Sequence, residues 1–144
     1  MSRFITSADT VITMTASTIF PAPVTFKDFA VEDIFGTDEV QRAEVQMGAS
    51  GTLVAGYVPQ AKTFTVSFLA TSETIDIMET LQGAQEVAKA VYRLDGTVRI
   101  PATGKSYTLT NGYLVSSKSM PDAKKTLQAQ SYKFTFESIL PSLL

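Results

Sequence analysis

The strictest constraint on the fold of this chain is a two-residue period. In Lys62–Ala70, Phe64, Val66 and Phe68 alternate with Thr63, Thr65 and Ser67. In Ser131–Ser138, Tyr132, Phe134 and Phe136 alternate with Lys133, Thr135 and Glu137. Successive side chains of a strand point to opposite faces, so each stretch predicts a strand with an aromatic inner face and a polar outer one. Weaker alternation covers Thr10–Ile19, Val24–Val31, Glu39–Met47 and Thr52–Val58, and Gly48-Ala49-Ser50-Gly51 separates the last two as a turn. The pattern predicts a mainly β, antiparallel, sandwich-like or barrel-like domain. Phe20, Phe26, Phe29, Phe64, Phe68, Phe134 and Phe136 are its expected core, because an aromatic platform for nucleic-acid bases needs a basic groove beside it.

One segment breaks the period. From about residue 73 to 91, Ile77, Leu81, Ala84, Ala88 and Val91 recur at spacings of four and three. That places them on one stripe of an amphipathic helix flanking the sheet. Thr71 and Ser72 can cap its start, where Glu73 and Asp76 suit the positive end; Lys89 and Arg93 suit the other. Gly83 implies close packing there, since Gly in a helix costs about 1 kcal/mol relative to Ala.

Two dipeptides suggest tight turns. Asp95-Gly96, between Tyr92–Leu94 and Val98–Ile100, predicts a hairpin turn. Asn111-Gly112 predicts either a second turn or one long strand bent at a bulge, since Tyr107, Leu109, Tyr113 and Val115 keep one phase through it. Met120–Lys125 then reverses the chain between Lys105–Ser119 and Thr126–Ser138.

Composition narrows the chemistry. The 144 residues contain no His and no Cys, which removes imidazole bases, thiolate nucleophiles, disulfides and Cys- or His-built metal sites. With 12 Lys+Arg against 14 Asp+Glu, the net charge of −2 is wrong for tight binding to a phosphate backbone. We expect no enzyme, no cofactor and no metal. Residues 1–144 show no repeat or linker and read as a single domain. The start, Met1–Thr6, carries no apolar signal stretch, and no run is long enough for a membrane span, so no membrane anchor is expected.

Each candidate for chemistry has a plainer alternative. Gly104-Lys105-Ser106 resembles the end of a phosphate-binding loop, but Arg99 stands where the first Gly belongs and a strand-like stretch follows. Glu32, Asp33, Asp38, Glu39 and Glu44 cluster around Phe35-Gly36 without the spacing of a calcium loop. The Thr/Ser rows opposite the Phe rows are either the solvent side of a sheet or the wall of a water-filled channel.

The succession of strands, Val54–Pro59 leading into Lys62–Ala70, one helix, Arg99–Gly112, Met120–Lys125 and a last strand to Glu137 resembles the tail tube proteins of long-tailed bacteriophages, particularly those with contractile tails. It is similar to the tube subunits of contractile injection systems. Tail terminators, tube initiators and secretion-system tubes share the pattern. The resemblance implies a structural subunit that forms hexameric rings. These stack into a tube with a β-lined lumen that conducts genomic DNA during ejection. Its partners would be copies of itself, a tail sheath and baseplate or initiator proteins, with DNA passing non-specifically. It would be made in the host cytoplasm and reside in the virion. On this reading Thr63, Thr65, Ser67, Lys133, Thr135 and Glu137 face the lumen, and the Phe rows pack under the helix stripe. Glu32, Asp33, Asp38, Glu39 and Glu44, within the stretch ending at Gly51, are the expected ring–ring contacts. Two other classes compete. One is a monomeric binding module for carbohydrate or protein, using Tyr57, Tyr107 or Tyr113; the other is a carboxylate hydrolase using Asp33 and Glu44.

Overall fold

The alternating stretches pair with each other. A computed structural model describes residues 10–16, 19–26, 29–30, 34–120 and 122–143. Its elements are β1 (Val11–Ala16), β2 (Phe20–Thr25), β3 (Phe35–Thr37), β4 (Ala43–Met47), β5 (Leu53–Tyr57), β6 (Lys62–Phe68), α1 (Glu73–Ala88), β7 (Leu94–Ile100), β8 (Lys105–Ser117) and β9 (Gln130–Leu143). The nine strands among the described residues divide into an antiparallel seven-stranded sheet, ordered β2-β1-β7-β8-β9-β6-β3, and a separate hairpin β4-β5. In the large sheet Phe64 lies opposite Phe134 and Val66 opposite Tyr132. All six side chains of the two Phe-rich rows are buried. Each contributes about 1.5–3 kcal/mol on burial, and a one-residue slip would turn the whole set to water, so the register is firmly specified.

The sheet curls towards closure. After β2 the chain crosses to the free edge of β6: Phe29 bridges Phe68, and Ala30 N donates to Ser67 O at 3.0 Å. Ser67 N donates in turn to Ile34 O at 3.0 Å. Phe26 meets Phe68 edge-on and Phe29 stacks on it, sealing this seam. The core comprises Ile12, Met14 and Ala16 of β1, Leu94 and Val98 of β7, Leu109 and Leu114 of β8, and the aromatic rows of β6 and β9. The side chain of Phe20 lies outside the described residues.

The helix differs from its expected stripe. Its buried residues are Thr74, Ile75, Met78 and Leu81, so only the first half packs on the sheet. Of the expected stripe, Leu81 is buried, Ile77 and Ala84 are half-buried, and Ala88 and Val91 are exposed. Val91 lies past the helix end, because Lys89 adopts a left-handed conformation with φ 52° and ends the element. The bulkier Ile75 and Met78 fill the space over the sheet in place of the small Ala84 and Ala88. Gly83 packs closely against nothing: a Cβ there would meet no atom within 4 Å. Ser72 caps the start, accepting from Thr74 N at 3.3 Å.

Asp95-Gly96 is not a turn. Both residues lie inside β7, opposite Thr15 and Met14 of β1. Gly96 answers a close approach, since a Cβ there would come within 2.8 Å of Thr13 O. The reversal falls instead at residues 101–104, where Gly104 has φ +67° and its N–H donates to Pro101 O at 3.1 Å. Asn111-Gly112 is a bend within one long strand, the second of its two expected readings, but the phase does not run through. Leu109 and Leu114 are buried, whereas Tyr113 and Val115 are exposed. One extra residue in β8 shifts its register against β7 between Leu94 and Gly96, and Asn111, at φ 51°, turns the strand there.

Candidate functional site

Three surfaces follow from this fold: the outer face of β6-β9-β8, the hairpin β4-β5, and a groove beside the helix.

On the first, Thr63 lies opposite Thr135 and Thr65 opposite Lys133. Tyr113 of β8 continues the row next to Thr135. Thr63, Thr65 and Thr135 are half-buried, while Lys133 and Glu137 are exposed. Ser67 departs from its neighbours: it is 9% exposed, and its Oγ hydrogen-bonds Ser131 Oγ at 2.7 Å. Its backbone also pairs at the β6 edge with Ala30 and Ile34. Lys133 has no ion-pair partner among the described residues. It sits four residues from Glu137, about 13 Å along the strand, too far for a bridge between them.

Glu137 belongs to a polar network at the bend. Asp95 Oδ1 accepts from Asn111 N at 2.9 Å, and Asn111 Nδ2 donates to Glu137 Oε2 at 3.0 Å. Tyr113 OH donates to Asn111 Oδ1 at 3.3 Å, and Lys62 Nζ to the backbone oxygen of Glu137 at 3.3 Å. Sequence reasoning missed this network; Asp95 and Asn111 are 16 residues apart and meet only through the ladder.

The second surface is more unusual. All ten residues of β4 and β5 are exposed. Their register sets Ala43 opposite Tyr57, Val45 opposite Ala55 and Met47 opposite Leu53. Cross-strand partners share a face, so one side of the hairpin is wholly apolar. Val45, Met47, Leu53 and Tyr57 are 54%, 67%, 58% and 79% exposed. The other side carries Glu44, Gln46, Val54 and Gly56. A two-stranded hairpin by itself is at best marginally stable in water. The alternation of residues 43–47 and 53–57 is the sequence signal; what it could not give is that no other strand among the described residues pairs with them.

The third surface is a groove of about 540 Å³ between the second half of α1 and the end of β8, including Gln82, Glu86, Lys89, Val91, Leu114 and Val115.

The expected acidic contacts are spread out. Asp38 and Glu39 are exposed in the loop before β4, and Glu44 is exposed on the hairpin's polar side. Glu32 and Asp33 lie outside the described residues. No three acidic side chains among the described residues converge into a metal-binding group. Gly104-Lys105-Ser106 leads into β8 rather than a helix, so it forms no phosphate loop. Tyr57 and Tyr113 border one shallow depression with Asn111 and Glu137, whereas Tyr107 packs against the core. No helix among the described residues is long and apolar enough to cross a membrane.

The family model described as tail fiber protein gp32 matches residues 3–140 of the chain. The chain belongs to this family. The gp32-family chain also shares its fold with parts of contractile injection systems. A chain of the anti-feeding prophage cap, the AFP tube terminating cap, matches with TM-score 0.58 and 13% identity, covering 100% of this chain and 94% of that one. A chain of the anti-feeding prophage baseplate matches with TM-score 0.61 and 11% identity, covering 99% and 97%. A chain of the sheath/tube terminator of PVC, an extracellular contractile injection system, matches with TM-score 0.61 and 10% identity, covering 99% of each. No curated protein matches the chain in sequence. Family and fold together make this gp32-family member a phage-tail-like protein.

Proposed function

We propose that the chain is a structural subunit of a tail tube, assembling into stacked hexameric rings whose lumen conducts DNA. The observation that carries this reading is the hairpin β4-β5: an apolar face with no cover among the described residues fits a protein whose folding is completed by neighbours. The outer face of β6-β9-β8 is the proposed lumen wall, formed by Thr63, Thr65, Lys133, Thr135, Glu137 and Tyr113, with Ser67 set back from it. Short hydroxyl side chains and balanced charges give phosphate little to hold, since affinity for DNA rises with the number of phosphates neutralised by Lys and Arg. The stretch from Asp38 to Gly51, including Glu39 and Glu44, is the proposed contact between rings, now centred on the hairpin rather than on the acids. A sheath and a baseplate are the proposed outer partners, the virion tail the proposed location, and catalysis has no part.

Negative-stain microscopy and sedimentation of tail particles and of the purified chain test this. Rings or tubes containing the chain support it; particles whose tube lacks the chain refute it. The terminating-cap and terminator relatives favour a second reading, a single ring that closes one end. Copy number per particle separates the two: many rings for a tube, one for a terminator.

A further inference from the structure

A cavity of about 430 Å³ opens where β6 begins and where β7 and β9 end, lined by Phe64, Ile100, Tyr107, Ile139 and Pro141. It falls within the size range of ligand pockets, roughly 300–1,000 Å³. Its charged lining residues among those described are Asp38, Arg42 and Lys62. The described chain begins beside this cavity. Val11 pairs with Arg99 and Ile12 with Val98, so the same register sets Thr10 against Ile100. Ile12 and Val98 are buried partners, and the two-residue period turns Thr10 to the same inner side. Thr10 is 7% exposed, yet its Oγ1 has no hydrogen-bond partner. A buried hydroxyl is normally paired, so this one points to a polar group that the described residues do not supply.

The residues before Thr10 have the composition to complete this end. Phe4 and Ile5 are an apolar pair, followed by the small or polar Thr6, Ser7, Ala8 and Asp9. Six residues carry the chain from Thr10 to Phe4, a reach of up to about 20 Å, against about 10 Å between packed sheet layers. That is enough to turn back across the mouth. The charges of the segment, Arg3 and Asp9, have opposites in Asp38 and in Arg42 and Lys62. We infer that the segment preceding Thr10 folds back over the cavity of its own chain and seats Phe4 and Ile5 in it, while a backbone group of the segment pairs with Thr10 Oγ1. Asp38, Val40 and Arg42, which line the cavity, belong to the stretch leading into β4. The seated segment therefore braces the root of the hairpin. This holds for a tube subunit and for a terminating ring alike, so it stands apart from the choice between them.

The chain contains no Trp and no Cys, so both reporters can be placed in the full chain without background. Phe4→Trp is expected to show blue-shifted emission and little quenching by iodide, both lost on denaturation. Emission and quenching equal to those of the denatured chain overturn the proposal. Phe4→Cys combined with Val40→Cys is expected to close a disulfide within one chain on oxidation, seen as a faster monomer band on a non-reducing gel. Phe4→Cys with Val87→Cys, at a position 88% exposed on α1, is the control that stays open. A disulfide-linked dimer in place of the intrachain bond overturns the proposal in favour of exchange between copies. A shielded Trp without the link to Val40 seats Phe4 elsewhere and overturns it too. An exposed Trp together with saturable uptake of a fluorescent fatty acid gives the cavity to a small amphiphile instead.

Discussion

The ring of Phe136 lies across Gly112, and a Cβ on Gly112 would sit 2.2 Å from Phe136 Cδ1. The two residues face each other across the β8-β9 ladder. The missing side chain lets the largest row of the core reach the point where β8 bends. The substitution Gly112→Ala therefore costs about 1–3 kcal/mol through overpacking. Combined with Phe136→Leu, which withdraws the ring, its cost falls. Chemical denaturation of the two single variants and the double variant checks this, with a coupling of about 0.5–3 kcal/mol expected for residues in direct contact.

Next to it, Asn111 is held at φ 51° with its N–H donated to Asp95. Asp95→Ala leaves that partly buried N–H unpaired and lowers stability by about 1–3 kcal/mol, while Asp95→Asn keeps an acceptor and loses less. Asn111→Gly is tolerated at this backbone angle. Asn111→Val is worse by about 1–2 kcal/mol, because a β-branched residue resists the left-handed region. Thermal melts of the four variants give the ranking.

Burial, with the Glu79 carboxylate adding to it, pushes the Tyr132 hydroxyl from 10.0 up to about 12. The raised folded value means the native state holds this proton more tightly than the unfolded chain. The contribution is complete below pH 10 and is lost as pH climbs from 10 towards about 12. Alkaline unfolding of Tyr132→Phe, which has no proton to lose, should show a shallower fall in stability over that window.

Much of this architecture was legible beforehand. Phe64 and Phe134 announced their strands because a buried sheet face needs alternation that few other structures produce. The stretch from about 73 to 91 announces a helix, which the structure ends at Ala88, and its expected stripe overlaps the buried one at Leu81: spacing alone ranks Ala84 and Ala88 with Leu81, and only packing shows that the first half of α1 meets the sheet. Asp95-Gly96 misled because the same dipeptide serves a tight turn and a close crossing of backbones; Thr13 O, more than 80 residues away in sequence, decided between them. The hairpin's residues were legible as strands, but their exposure was not, since burial depends on what the rest of the chain fails to cover.

That exposure separates stability from assembly. Met47→Asp with Leu53→Asp puts two like charges opposite each other on the apolar face. The folded chain should change by less than about 1 kcal/mol, because neither side chain contacts the core. Assembly into particles should be lost. Melting curves and particle yield, measured on the same variant, test the pair of outcomes.

The most direct test of the central claim is a cryo-EM reconstruction of tail particles containing the chain. The account predicts stacked hexameric rings with Thr63, Thr65, Lys133, Thr135 and Glu137 turned to the lumen and the hairpin β4-β5 buried against the next ring. A map with that face directed away from the channel, or with the hairpin free in solvent, would contradict it.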